Sequence, residues 1–227
     1  MMNYADTVSN TEHPQSLAAY QEFLQRKVSL KAAIGVQVAD SEVNPLLKPH
    51  QRDCVRWAVS LGRAALFESF GLGKTFQQLE AVRLTLAKTG GGMGLIIMPL
   101  GVRQEFKRDA AKLGIEVKFV QSNAELLLNG IYLTNYESVR EGKLNPQQFK
   151  VISLDEAGIL RGFGGTKTFR EFMATIAGDD KRDRSNPLRT EGVPYRFVAT
   201  ATPSPNEYIE LLAYAAFLDV MDVGQAK

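Results

Sequence analysis

The stretch Phe70-Gly71-Leu72-Gly73-Lys74-Thr75-Phe76-Gln77 sets two glycines just ahead of a lysine–threonine pair. Residues of these types can bind phosphate. Glycines let backbone N–H groups close round an anion, the lysine neutralises it, and the hydroxyl can bind Mg²⁺. Gly73, Lys74 and Thr75 fit the phosphate-loop pattern G-x-x-x-x-G-K-[ST], but Glu68 occupies its first glycine position. A plain turn opening a helix would use similar letters. Against that, a lysine in a first helical turn opposes the helix dipole unless an anion sits beside it.

Three further groups could join such a site. Val151-Ile152-Ser153-Leu154 runs into Asp155-Glu156. Asp155 can hold Mg²⁺, and Glu156 can polarise an attacking water. The plain alternative is a helix cap with a first-turn charge. Thr200 and Thr202, in ATATPSPNEYIEL (199–211), can bond around a nucleotide and relay its state, or merely end a strand and cap a helix. Gln51, in LKPHQ, carries an amide able to pair with an adenine edge, although such a glutamine is commonly just surface.

These residues need a frame. Short apolar runs at 64–69, 94–99, 117–121, 131–135, 151–156 and 196–201 read as strands. Helical patterns lie between several of them: one opening behind Pro49, then 74–88 and 102–114. Strands apolar on both faces and alternating with helices predict an α/β fold, a mostly parallel sheet with helices on both faces. The glycine turn then sits between a strand and a helix, and Asp155-Glu156 at a strand's carboxyl end, where open α/β sheets bind ligands.

Outside this frame, Leu17, Tyr20, Leu24 and Val28 predict an amphipathic N-terminal helix ending near Gly35, which gives an N-terminal helical extension over 1–45. Residues 178–192 mix both charges with Pro, Asn, Ser and Gly and read as a surface loop. The last helix, roughly 206–219, is apolar nearly all round, which suits burial or a partner surface.

Composition narrows the classes. A length of 227 residues suits one domain with an attached element, and a formal net charge of +2 permits a nucleic-acid partner without arguing for one. The single Cys54 excludes an internal disulfide, and two histidines exclude a His-rich metal site. No apolar run reaches the roughly 20 residues needed to span a bilayer, so a reducing cytoplasm and no membrane partner are expected.

Taken in order, the motifs resemble the first RecA-like lobe of superfamily 2 helicases, most closely the Swi/Snf-like branch. LKPHQRDCVRW, including Trp57, resembles the Q-motif segment, and ESFGLGKT resembles motif I, where an acidic residue commonly replaces the first glycine. LIIMPLGVRQEF resembles motif Ia, YLTNYESV motif Ib, LDEAG motif II of DEAD/DEAH-box type, and TATPSPNEYIEL motif III. The order also resembles helicases encoded by phages and prophages.

This resemblance covers about residues 15–220. It implies a RecA-like P-loop NTPase domain over 46–227, with ATP and Mg²⁺ as cofactors. Lys74, Asp155 and Glu156 would be catalytic, and Gln51, Gly71, Gly73, Lys74 and Thr75 would bind ATP. Thr75 and Asp155 would hold the metal, with Thr200 and Thr202 coupling through motif III. Pro99, Gly101, Arg103, Thr134 and Asn135 would contact a nucleic-acid backbone, DNA ahead of RNA. Departures are Gly158 at the fourth box position, Ala201 within Thr-Ala-Thr, and no second RecA-like lobe. That lobe normally supplies arginines worth about 10³–10⁵ in rate, so the chain alone is expected to hydrolyse ATP slowly or not at all. A non-hydrolysing nucleotide-binding regulatory module is the rival reading. A small-molecule kinase is a third, opposed by the lack of a lid-like arginine cluster.

Overall fold

The computed structural model of the chain describes residues 32–161, 167–178, 192–204 and 210–220. Leu17, Tyr20, Leu24 and Val28, most of the 178–192 segment, and the opening of the expected last helix lie outside these. Where the N-terminal helix was expected to end, residues 32–39 are instead irregular. There Ile34 N and Val36 N donate to Leu61 O and Val59 O, at 3.2 and 3.0 Å. Gly35 presses so close that a Cβ on it would lie 2.1 Å from Val59 O.

Six strands form one sheet: β1 (Arg63–Phe67), β2 (Met93–Met98), β3 (Val117–Phe119), β4 (Gly130–Asn135), β5 (Val151–Asp155) and β6 (Tyr195–Thr200). Their order is β1-β6-β5-β2-β4-β3, and each pairing is parallel, so the expected mostly parallel sheet is wholly parallel. The helices are α1 (Pro49–Leu61), α2 (Lys74–Lys88), α3 (Arg103–Leu113), α4 (Tyr136–Arg140), α5 (Lys167–Phe172) and α6 (Glu210–Phe217).

Alternation along each strand feeds two cores. Val151, Phe197, Ile96 and Leu133 face a cluster with Val55 and Val59 of α1, Leu79 and Val82 of α2, and Phe106 of α3. Ile152, Leu154, Leu95 and Val198 face the other, with Val139 of α4, Phe169 and Phe172 of α5, and Tyr214 and Phe217 of α6. Helices therefore cover both faces. Burial on both sides explains why the strands read as continuous apolar runs.

The order of crossing positions the site. Strand β6 inserts between β1 and β5, pairing Phe67 with Thr200 and Asp155 with Ala199. The turn after β1 and the acidic pair after β5 therefore emerge on either side of Thr200, although 82 residues separate Gly73 from Asp155 in sequence.

Candidate functional site

Two glycines in left-handed conformation shape the turn after β1, Gly71 with φ 80° and Gly73 with φ 84°. Only glycine adopts such φ values without strain. Gly73 caps α2, and a Cβ on it would lie 2.2 Å from Gln51 Nε2. The glycine is thus required twice, by its dihedral and by the glutamine packed against it.

That glutamine is buried, 7% exposed. Its Nε2 donates to Leu72 O at 2.8 Å, and its Oε1 accepts from Lys48 N at 2.9 Å. Gln51 thus ties the start of α1 to the middle of the glycine turn. Trp57, further along α1, is half exposed.

Lys74 opens α2, where free N–H groups and the dipole favour an anion. Its Nζ donates to Glu68 O at 3.0 Å and Ser69 O at 3.2 Å, and lies 5.4 Å from the ring centroid of Phe70. Phe70 is 75% exposed. Glu68, at the broken glycine position, accepts from Gln77 Nε2 through its own Oε2 at 2.7 Å. Its backbone N–H donates to Thr200 O at 3.3 Å, which links the turn to β6.

Across from the turn, Asp155 ends β5 and is 7% exposed. Burial pushes its carboxyl up to about 6, aided by the neighbouring Glu156 charge and opposed by a hydrogen bond from Gln78 and by the Lys74 charge. Glu156 follows with φ 49°, an uncommon conformation for a side-chain-bearing residue and one that turns the chain sharply off the strand. The Tyr136 hydroxyl donates to Asp155 O at 2.5 Å. Burial and the nearby Asp155 and Glu156 charges raise that phenol well above its usual range.

One cleft of about 400 Å³ is lined by Gly71, Gly73, Lys74, Thr75, Asp155 and Glu156, together with Phe70, Phe76, Val102, Glu105 and Asp109. The structure therefore brings together the expected phosphate-turn and acidic residues. Sequence reading missed Glu105 and Asp109, which reach the cleft from α3 because that helix packs beside α2. It also missed Gln78, whose partner lies 77 positions away.

The oxygens of Thr75, Asp155 and Glu156 beside Lys74 are hard donors that suit Mg²⁺. Among the described residues no group of three or more His, Cys, Asp or Glu could cage a metal ion. Mg²⁺ needs only one or two protein oxygens beside phosphates and water, and Thr75 with Asp155 can supply those. The residues fit the group.

Thr200 is fully buried, and its Oγ1 accepts from Thr202 N at 3.2 Å. Thr202 itself is exposed. The expected nucleic-acid contacts divide. Pro99, Gly101 and Arg103 follow β2 at the surface, with Arg103 over the Phe119 ring at 4.9 Å. Asn135 pairs with Met98 in register, so it lies beside them, but it is 7% exposed and its Oδ1 accepts from Ser138 Oγ. Thr134 is fully buried and donates to Val120 O at 2.8 Å, so its hydroxyl faces inward rather than toward a bound strand. Gly158 is half-buried in the short turn Ala157–Arg161 that follows the acidic pair.

No helix among the described residues is long and apolar enough to cross a membrane. No family model matches the chain, and no curated protein does. Solved structures do. The chain is similar to the SWI2/SNF2 ATPase core of Sulfolobus solfataricus in complex with dsDNA, at 21% identity and TM-score 0.65, over 85% of this chain and 40% of that one. It is also similar to the UvsW helicase from bacteriophage T4, at 13% identity and TM-score 0.55, over 91% of this chain and 66% of that one. The chain thus spans less than half of the Sulfolobus core's length. At these identities the likeness shows the fold: a RecA-like α/β domain of the kind found in helicase and SWI2/SNF2 ATPase cores.

Proposed function

We propose that the chain is the ATP-binding lobe of a nucleic-acid-dependent ATPase, a superfamily 2 helicase or DNA translocase of the Swi/Snf-like, phage-borne kind that works in the cytoplasm. The observation that carries this reading is the shared cleft, in which Lys74 and Thr75 at a helix start meet Asp155 and Glu156 at a strand end.

In this reading the α2 N-terminus and the N–H groups of the glycine turn bind the phosphates. Lys74 leaves the Glu68 and Ser69 carbonyls for phosphate oxygens. Thr75 and Asp155 hold Mg²⁺, which supplies charge neutralisation across the phosphates. Glu156 accepts a proton from the attacking water at its carboxylate. Gln51 holds the turn and meets the adenine edge. No arginine lines this cleft among the described residues, and a second RecA-like lobe supplies those groups, so turnover by the chain alone is slow or absent. Exposed Gly101 and half-buried Pro99 and Arg103 lie at the surface, where their contacts would position a strand without reading its sequence. DNA is the preferred track, in keeping with the dsDNA bound by the Sulfolobus core.

Binding of labelled DNA and RNA oligonucleotides, with and without a non-hydrolysable ATP analogue, tests the motor reading. Expected is DNA binding whose affinity changes with the analogue and falls on Arg103→Ala. Nucleotide binding with no nucleic-acid binding would favour the regulatory module instead.

A further inference from the structure

Gln78 sits one helical turn past Lys74 on α2 and is wholly buried. It does not line the cleft. Its amide nevertheless makes two strong contacts with β5: Nε2 donates to Asp155 Oδ1 at 2.7 Å, and Oε1 accepts from Ser153 Oγ at 2.8 Å. Ser153 and Asp155 stand two residues apart, so they share the sheet face turned toward α2. The result is a directed relay in which the Ser153 hydroxyl donates to Gln78 and Gln78 donates to Asp155.

Chemistry fixes that direction. A carboxylate can only accept, so the amide must present its NH₂ end to Asp155 and its carbonyl end to Ser153. Turned the other way, the carbonyl would oppose the carboxylate. Gln77 and Glu80 on the same helix are as deeply buried and polar, and each is tied to its own partners, Glu68 for the one and Arg83 with Asn44 N for the other, so a wholly buried polar side chain here goes with a partner that it satisfies. Packing alone does not ask for an amide here; one oxygen of Asp155 does.

We propose that Gln78 is the positioning residue for Asp155: it anchors Oδ1, so that the second carboxylate oxygen is presented to the cation, and Ser153 fixes the amide's orientation. This rests on the reading of the cleft as a Mg²⁺–nucleotide site. Removing the anchor frees the carboxylate to rotate on its stem, and the cation loses a preset ligand. Loss of a group that orients a metal ligand typically weakens metal affinity about 10–100-fold.

The test uses Mn²⁺ as a spectroscopic stand-in for Mg²⁺, titrated into the full chain at saturating ADP. ADP affinity without metal and the thermal midpoint are measured alongside. Gln78→Met keeps side-chain length and helix propensity, while Ser153→Ala removes only the hydroxyl. Expected is a drop of about 10–100-fold in Mn²⁺ affinity for Gln78→Met, and a smaller drop in the same direction for Ser153→Ala. Metal-free ADP affinity stays unchanged in both, which a merely structural role would not produce. Mn²⁺ affinity equal to the native chain's, with ADP binding intact, overturns the proposal and leaves the nucleotide reading standing. Absence of both ADP and Mn²⁺ binding in the native chain overturns the nucleotide reading and this inference with it. Should Gln78→Met fail to fold, Ser153→Ala decides alone: an unchanged Mn²⁺ affinity there overturns the relay.

Discussion

Lys74 Nζ lies 3.0 Å from the carbonyl oxygen of Glu68, so the lysine closes back over the turn that precedes it. A second bond to Ser69 O completes the bridge. Lys74 therefore braces the ligand-free turn before it meets any phosphate. These bonds are part-buried and exposed, so solvent screening keeps each to about 1 kcal/mol although the donor is charged. Lys74→Ala should accordingly speed amide hydrogen exchange across residues 69–73 several-fold without altering exchange in β2 or β4. Unchanged exchange in the turn would show that the bridge contributes nothing.

Gln51 and Gly73 form a coupled pair. Gly73→Ala in the native background combines a left-handed residue, worth about 1–2 kcal/mol, with a Cβ driven into Gln51 Nε2. In a Gln51→Ala background only the dihedral cost remains. The destabilisation by Gly73→Ala should therefore shrink in the double variant, by about 0.5–3 kcal/mol as for other residues in contact. Urea unfolding of the four proteins measures it, and strict additivity would contradict the packing described.

Asp155 trades stability for its place in the cleft. Its carboxyl is held at about 6 in the fold against an ordinary 3.8, so the folded chain binds the proton more tightly than the unfolded one. That contribution stabilises below pH 4 and is lost as pH rises from about 4 to 6. The difference between about 6 and 3.8 corresponds to at most about 3 kcal/mol. Asp155→Asn should thus be more stable than the native chain at pH 7, and the difference should narrow as pH falls toward 4. Chemical denaturation across that range checks the sign.

Tyr136 holds the backbone on which the acidic pair turns. Tyr136→Phe keeps the ring, which packs 5.8 Å from Phe172, and removes only the bond to Asp155 O. A loss of about 1 kcal/mol is expected for that bond. Because Glu156 follows with φ 49°, Mg²⁺-dependent nucleotide affinity should also weaken, while metal-free nucleotide binding is retained. Calorimetry with and without Mg²⁺ separates the two effects.

Much of the frame could be read from local pattern. The helix expected over 74–88 is α2, Lys74–Lys88, because glycines stop it on one side and its apolar residues repeat with helical period. Strand positions agree to within about two residues for the same local reason. The order β1-β6-β5 could not be read, since nothing in the β6 residues states that they insert between two earlier strands. Gln78 shows the same limit: as a helical glutamine it looks like surface, and only the pairing of α2 with β5 gives it Ser153 and Asp155 as partners. Thr134 fails in the opposite direction. Its motif context points outward, whereas alternation along a doubly covered strand turns its hydroxyl inward to Val120 O. The last helix, expected to be either buried or awaiting a partner, has Ala213, Tyr214 and Phe217 in the core shared with α5, and Ala216 buried beside them in sequence.

Calorimetric titration of Mg-ATP into the native chain and into Lys74→Ala tests the phosphate cleft most directly. Expected is measurable ATP binding that falls about 10–100-fold in the variant, the span that follows from losing charge-assisted bonds of about 1.5–3 kcal/mol. ATP binding that survives Lys74→Ala undiminished would contradict it.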